Sequence, residues 1–139
     1  MRHAKANGIR ILIVEDEPAI CEVCLRTLTA EGFEVGVAVN GVVAQDMLPE
    51  QEYHLCLIDI RTPLMNGMEL YQHIEEKYPG LVNGVIFTTA DILDSELKFF
   101  LSRSERLYMP KPFTPDELRA TVREAVKRLK LASRLRVGR

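Results

Sequence analysis

The stretch ILIVEDEP, Ile11 to Pro18, runs four apolar residues directly into three acids and a proline. A branched apolar run of this length reads as a strand buried on both faces, which is what a parallel sheet covered by helices requires. The acids then stand at the strand's carboxyl end, the edge at which open α/β sheets hold their ligands. This stretch therefore constrains the fold class and also marks where to look for chemistry.

The remaining chain alternates in the same way. The first strand covers about Arg10 to Val14, and a helix follows from Pro18, which suits a first helical position, to about Ala30, ended by Gly32. Phe33 to Val39 reads as strand two, Asn40-Gly41 as a turn, and Val42 to Leu48 as a short helix stopped by Pro49. His54 to Ile60 is strand three, carrying Asp59 at its end, and helix three runs from about Met68 to Tyr78. Gly84 to Ala90 supplies strand four, Asp94 to Ser102 helix four, and Arg106 to Met109 a shorter edge strand. In the last helix Thr114 and Glu117 form a capping box around Pro115, and Leu118, Val122, Ala125, Val126 and Leu129 make one apolar stripe. Five strands alternating with five helices specify an α/β sheet with right-handed crossovers.

At 139 residues the chain fits one domain. We place it at residues 10–131, with 1–9 as an N-terminal extension and 132–139 as a basic C-terminal tail that reads as a linker stub. No apolar run is long enough to span a membrane, and MRHAKANGIR lacks the apolar core of a signal peptide, so a cytoplasmic protein is expected. Three cysteines, an odd number, argue against a disulfide framework. Cys21 and Cys24 form a C-x-x-C inside the first helix without a second ligand pair, and they read as helix packing, with Cys21 nearer the surface. Cys56 reads as core, His54 as a residue leading into strand three, and His73 as exposed. A net charge of -2 gives no bias toward nucleic acid, and no helix-turn-helix follows the last helix.

Side by side, the strand ends collect Glu15 and Asp16, Asp59, Thr89 and Lys111 on one edge. Carboxylates so close repel one another unless a cation sits among them, and Mg²⁺ prefers carboxylate oxygens and commonly binds beside a phosphate. An aspartate there can also act as a nucleophile toward phosphorus, with a lysine neutralising charge on the transferred oxygens.

These residues resemble the receiver domain of response regulators in two-component phosphorelays, over about Arg10 to Leu131. The acidic pair matches Glu15 and Asp16, and the D-x-x-x-P-x-x-x-G pattern matches Asp59, Pro63 and Gly67. The switch threonine matches Thr89 beside Ala90, the lysine matches Lys111 in KPF, and the aromatic switch position matches Tyr108. The resemblance implies a doubly wound, flavodoxin-like five-stranded parallel sheet of order 2-1-3-4-5. It implies that Asp59 takes a phosphoryl group from the histidine of a kinase or phosphotransfer domain. Mg²⁺ would be held by Asp16, Asp59, the backbone carbonyl of Arg61 and, through water, Glu15. Thr89 would move toward the phosphate and Tyr108 inward, changing a face of helix four, strand five and helix five that meets an output partner or a second copy. Lys111-Pro112 is usually cis in the family. The resemblance also implies that Arg61 and Asp91 would flank the phosphoryl site, with opposite charges that could pair.

Two other readings remain. A small magnesium-dependent phosphatase usually needs an acid two residues after its nucleophile, where this chain has Arg61. A degenerate receiver acting only as an interaction module would lack an acid or the lysine. The domain is expected to catalyse its own phosphorylation and dephosphorylation without being a stand-alone metabolic enzyme. ELKFFLSRSERLYMPKPF resembles receivers of hybrid histidine kinases, which suggests that origin. Leu97, Phe99, Phe100 and Leu101 give helix four more apolar surface than one core face needs.

Overall fold

Successive residues of each central strand enter opposite core layers, as a sheet buried on both faces demands. The computed structural model describes residues 8–90 and 94–137, with 132–137 described by backbone alone. Its elements are β1 Arg10–Val14, α1 Pro18–Ala30, β2 Glu34–Ala38, α2 Gly41–Met47, β3 Leu55–Asp59, α3 Gly67–Lys77, β4 Val85–Thr89, α4 Ser95–Ser104, β5 Leu107–Pro110 and α5 Pro115–Val137. The strands pair in parallel in the order β2-β1-β3-β4-β5, the doubly wound sheet expected from the sequence.

Leu12, Val14, Cys56, Ile58 and Phe87 pack toward α2, α3 and α4, meeting Ala44, Leu70, Ile74 and Leu97. Ile11, Ile13, Leu55, Leu57 and Ile86 pack on the other side against Cys24 and Leu28 of α1 and Leu118, Val122 and Ala125 of α5. The stripe on the last helix is thus half of one core layer. Tyr71, Phe87 and Phe100 add an edge-to-face aromatic cluster with centroids 5.2 to 5.9 Å apart. Among the described residues no helix is long and apolar enough to cross a membrane.

Several local expectations are corrected. Asn40 and Gly41 do not form a free-standing turn: the Asn40 side chain caps α2, accepting from the Val43 N–H at 2.9 Å, and Gly41 is the first helical residue. The position also requires glycine, since a Cβ on Gly41 would fall 2.3 Å from the Met65 carbonyl oxygen. After α3 the chain makes a short 3-10 helix, Pro79–Gly84, that periodicity does not reveal. The helical backbone of α5 continues through Val137. Residues 1–7, most of the expected extension, and the side chains of the basic tail lie outside the described residues.

Gly67 brings α3 against the end of β3. A Cβ there would sit 2.7 Å from the Ile60 Cα and 3.2 Å from the Asp59 carbonyl oxygen. Gly67→Ala is therefore expected to lower stability by about 1–3 kcal/mol, read as a reduced urea midpoint at unchanged slope.

Candidate functional site

Because β1, β3 and β4 are parallel neighbours, their carboxyl ends deliver Glu15, Asp59 and Thr89 to one edge. β5 adds the next residue, Lys111, whose N–H donates to the Thr89 carbonyl at 3.0 Å. The Lys111-Pro112 peptide bond is cis.

The Lys111 ammonium donates to three carboxylates: Asp59 Oδ2 at 2.7 Å, Glu17 Oε1 at 2.9 Å and Glu15 Oε2 at 3.1 Å. Those bonds match the three donors of an ammonium. The other oxygen of Asp59, Oδ1, accepts the backbone N–H of Arg61 at 3.0 Å, and Glu15 Oε2 also accepts the N–H of Glu17 at 3.1 Å. Asp16, Glu17, Asp59, Arg61, Ala90 and Lys111 line a cleft of about 450 Å³ at this edge.

Burial raises the Glu15 pKa and nearby Asp59 adds to the rise, while bonds from Lys111 and the Glu17 N–H oppose it. Burial alone would lower the Lys111 pKa, but the bonds to Asp59, Glu17 and Glu15 prevail and hold it above the ordinary lysine range. Ionised Glu15 therefore weighs against folding at neutral pH. That penalty is relieved as pH falls through the raised folded-state value and is gone below the ordinary 4.5. With a chelator present, acidification from neutral should stabilise the wild type more than Glu15→Gln, as urea midpoints would record.

Oxygens of Glu15, Glu17 and Asp59 lie within 4.8 Å of one another. This set is hard, anionic and opposed by one lysine within the cluster, and it suits Mg²⁺. Of the expected ligands, Glu15 and Asp59 are in this set, and Glu17 stands with them. Asp16 is exposed and lines the cleft, while Glu17 joins the cluster, because the third ammonium donor of Lys111 engages Glu17.

Thr89 is completely buried at the end of β4. The Tyr108 ring is half-buried, and its hydroxyl is already withdrawn from solvent, without a hydrogen-bond partner among the described residues. Burial raises its pKa. Arg61 pairs with Asp94 at 2.7 Å, whereas Asp91, the expected opposite charge, lies outside the described residues.

Cys21 is half-buried and its thiol donates to the Glu15 carbonyl, while Cys24 and Cys56 are buried. Burial pushes the Cys24 pKa up to about 12, as suits packing rather than reactivity. His54 leads into β3, with Nδ1 accepting the Arg10 N–H at 3.0 Å. His73 is half-buried rather than exposed, contacting Gln45 and the Tyr78 ring, because α3 leans on α2. On α4, Leu97, Phe100 and Leu101 belong to the core layer, and only Phe99 of the four projects outward, with Arg103 over its ring at 5.5 Å.

Sequence reasoning missed two participants. Glu17 stood in the same acidic run, directly before the helix-starting proline, and nothing in the run itself distinguishes it from its neighbours. Asp94 was legible as the start of helix four, yet nothing local signals a partner 33 residues away.

Comparison with known proteins gives a consistent result. The response regulator receiver domain pattern matches residues 11–123. The chain is 31% identical over 123 residues to the response regulator MprA of Mycobacterium bovis, covering 88% of this chain and 53% of that one. It is 32% identical over 114 residues to the transcriptional regulatory protein CrdR of Helicobacter pylori, covering 82% of this chain and 53% of the relative. It thus spans about half the length of these curated relatives. Among solved structures, a CheY-like response regulator receiver domain protein from Methanospirillum hungatei superposes with a TM-score of 0.81 at 28% identity, covering 89% of this chain and 98% of that one.

Proposed function

The chain belongs to the response regulator receiver domain family, phosphoacceptor modules of two-component signalling, and from that premise we propose that Asp59 is its phosphoacceptor. The observation that carries the reading is the Lys111 ammonium, which ties Asp59 to Glu15 and Glu17 at the carboxyl edge of the sheet. A carboxylate oxygen of Asp59 attacks phosphorus, the P–N bond of a phosphohistidine breaks, and the imidazole leaves with the electron pair. The donor is a histidine kinase or a histidine phosphotransfer domain. Lys111 offsets charge on the transferred oxygens. Mg²⁺ would be held by Asp59, Glu15, the Arg61 carbonyl and an acid of the Asp16–Glu17 pair, and it would neutralise phosphoryl charge.

Thr89 then supplies a hydroxyl to the phosphoryl group, and the Tyr108 hydroxyl, buried without a hydrogen-bond partner among the described residues, gives that ring a reason to rearrange. The response spreads over α4, β5 and α5, where exposed Phe99 anchors an output partner or a second copy. The intact cluster favours this reading over a degenerate module. Arg61, in the position where a phosphatase would need an acid, favours it over metabolite hydrolysis.

The test is incubation with acetyl phosphate with and without Mg²⁺, followed by intact mass. One metal-dependent phosphoryl addition is expected. No addition from acetyl phosphate or from a phosphorylated phosphotransfer domain would refute the proposal.

A further inference from the structure

Arg61 connects the phosphoacceptor loop to α4. Its backbone N–H donates to Asp59 Oδ1 at 3.0 Å, and the residue lines the same cleft as Asp59 and Lys111. Its guanidinium donates from Nη2 to Asp94 Oδ2 at 2.7 Å. The other oxygen of Asp94, Oδ1, caps α4 by accepting the Leu97 N–H at 3.1 Å. One carboxylate thereby holds both the guanidinium and the first turn of the helix.

The Arg61 and Asp94 side chains are 48% and 32% exposed, and ion pairs this open to water are weak and easily exchanged. A guanidinium also presents a planar fork that matches phosphoryl oxygens. A dianionic group built on Asp59 would lie in the cleft that Arg61 lines, competing with the single charge of Asp94.

We infer that the Arg61 side chain is a second cationic ligand for the phosphoryl group, held in reserve by Asp94, and that its transfer to the phosphoryl loosens the first turn of α4. The inference rests on the reading of Asp59 as phosphoacceptor. It couples the site to α4 by a route separate from Thr89 and Tyr108. By linkage, a partner that stabilises the Arg61–Asp94 pair weakens phosphoryl binding by the same factor.

The experiment is titration of wild type, Arg61→Gln, Asp94→Asn and the double variant with beryllofluoride, an acyl phosphate mimic, in the presence of Mg²⁺. Asparagine caps helices as well as aspartate does, so Asp94→Asn removes the charge while keeping the cap. Asp94→Asn should bind about 2- to 5-fold tighter and Arg61→Gln weaker by a similar factor. The Asp94→Asn gain should vanish in the Arg61→Gln background. Amide exchange at Leu97 should quicken on beryllofluoride binding in wild type and stay unchanged in Arg61→Gln. Equal affinity in all four proteins, or additive effects, would overturn the inference while leaving the phosphoacceptor reading intact. Failure of wild type to bind would overturn both.

Discussion

Asp59→Asn is expected to take up no phosphoryl group from acetyl phosphate, a loss of at least ~10³-fold against wild type by intact mass. The substitution is nearly isosteric, so its effect is chemical. An amide oxygen lacks the charge that makes the carboxylate a nucleophile, while its carbonyl oxygen still accepts the Arg61 N–H that Asp59 Oδ1 accepts now. Lys111 keeps Glu15 and Glu17 as partners, so the fold should stand. Uptake at the wild-type rate would show that the phosphoryl group goes elsewhere.

Lys111→Met should produce the largest change in stability. It leaves the side chains of Glu15 and Asp59, 3% and 6% exposed, facing each other without their cation. Breaking a fully enclosed ion pair costs about 3–5 kcal/mol. Here the cleft is open to water and Glu17 is largely exposed, so a loss of about 2–4 kcal/mol is expected after that discount. Mg²⁺ should restore part of it by replacing one cation with another, whereas wild type should gain less from the metal. Urea unfolding with Mg²⁺ and with chelator measures both. Equal midpoints for variant and wild type in chelator would mean that Lys111 does not hold the cluster together.

The boundaries of β1 and α1 were legible to the residue because a branched run, an acidic break and a proline follow one another within ILIVEDEP. Asn40-Gly41 was not, since the same dipeptide serves a turn or a helix start, and here the Asn40 side chain caps α2. Helix four was legible only in part for a related reason: Phe99 stays exposed, as its apolar surplus suggested. Leu97, Phe100 and Leu101 are taken up by the layer around Tyr71 and Phe87, and that demand comes from other strands and helices.

At the site, strand-end position brought Glu15, Asp59, Thr89 and Lys111 together from sequence alone. The bond from Lys111 to Glu17 was not legible, because which carboxylate the third donor of one lysine reaches is not encoded in chain order. The Arg61–Asp94 pair joins loops on successive crossovers of a folded sheet, and it exists only once β3 and β4 are side by side.

The most direct test of Asp59 as phosphoacceptor is to phosphorylate the chain with acetyl phosphate and Mg²⁺, reduce it with borohydride, and sequence the peptides by mass spectrometry. Borohydride converts an aspartyl phosphate to homoserine and leaves free carboxylates unchanged. Homoserine at position 59 alone is the predicted result, and homoserine at Asp16, or a stable phosphoryl group on a histidine or serine, would contradict the account.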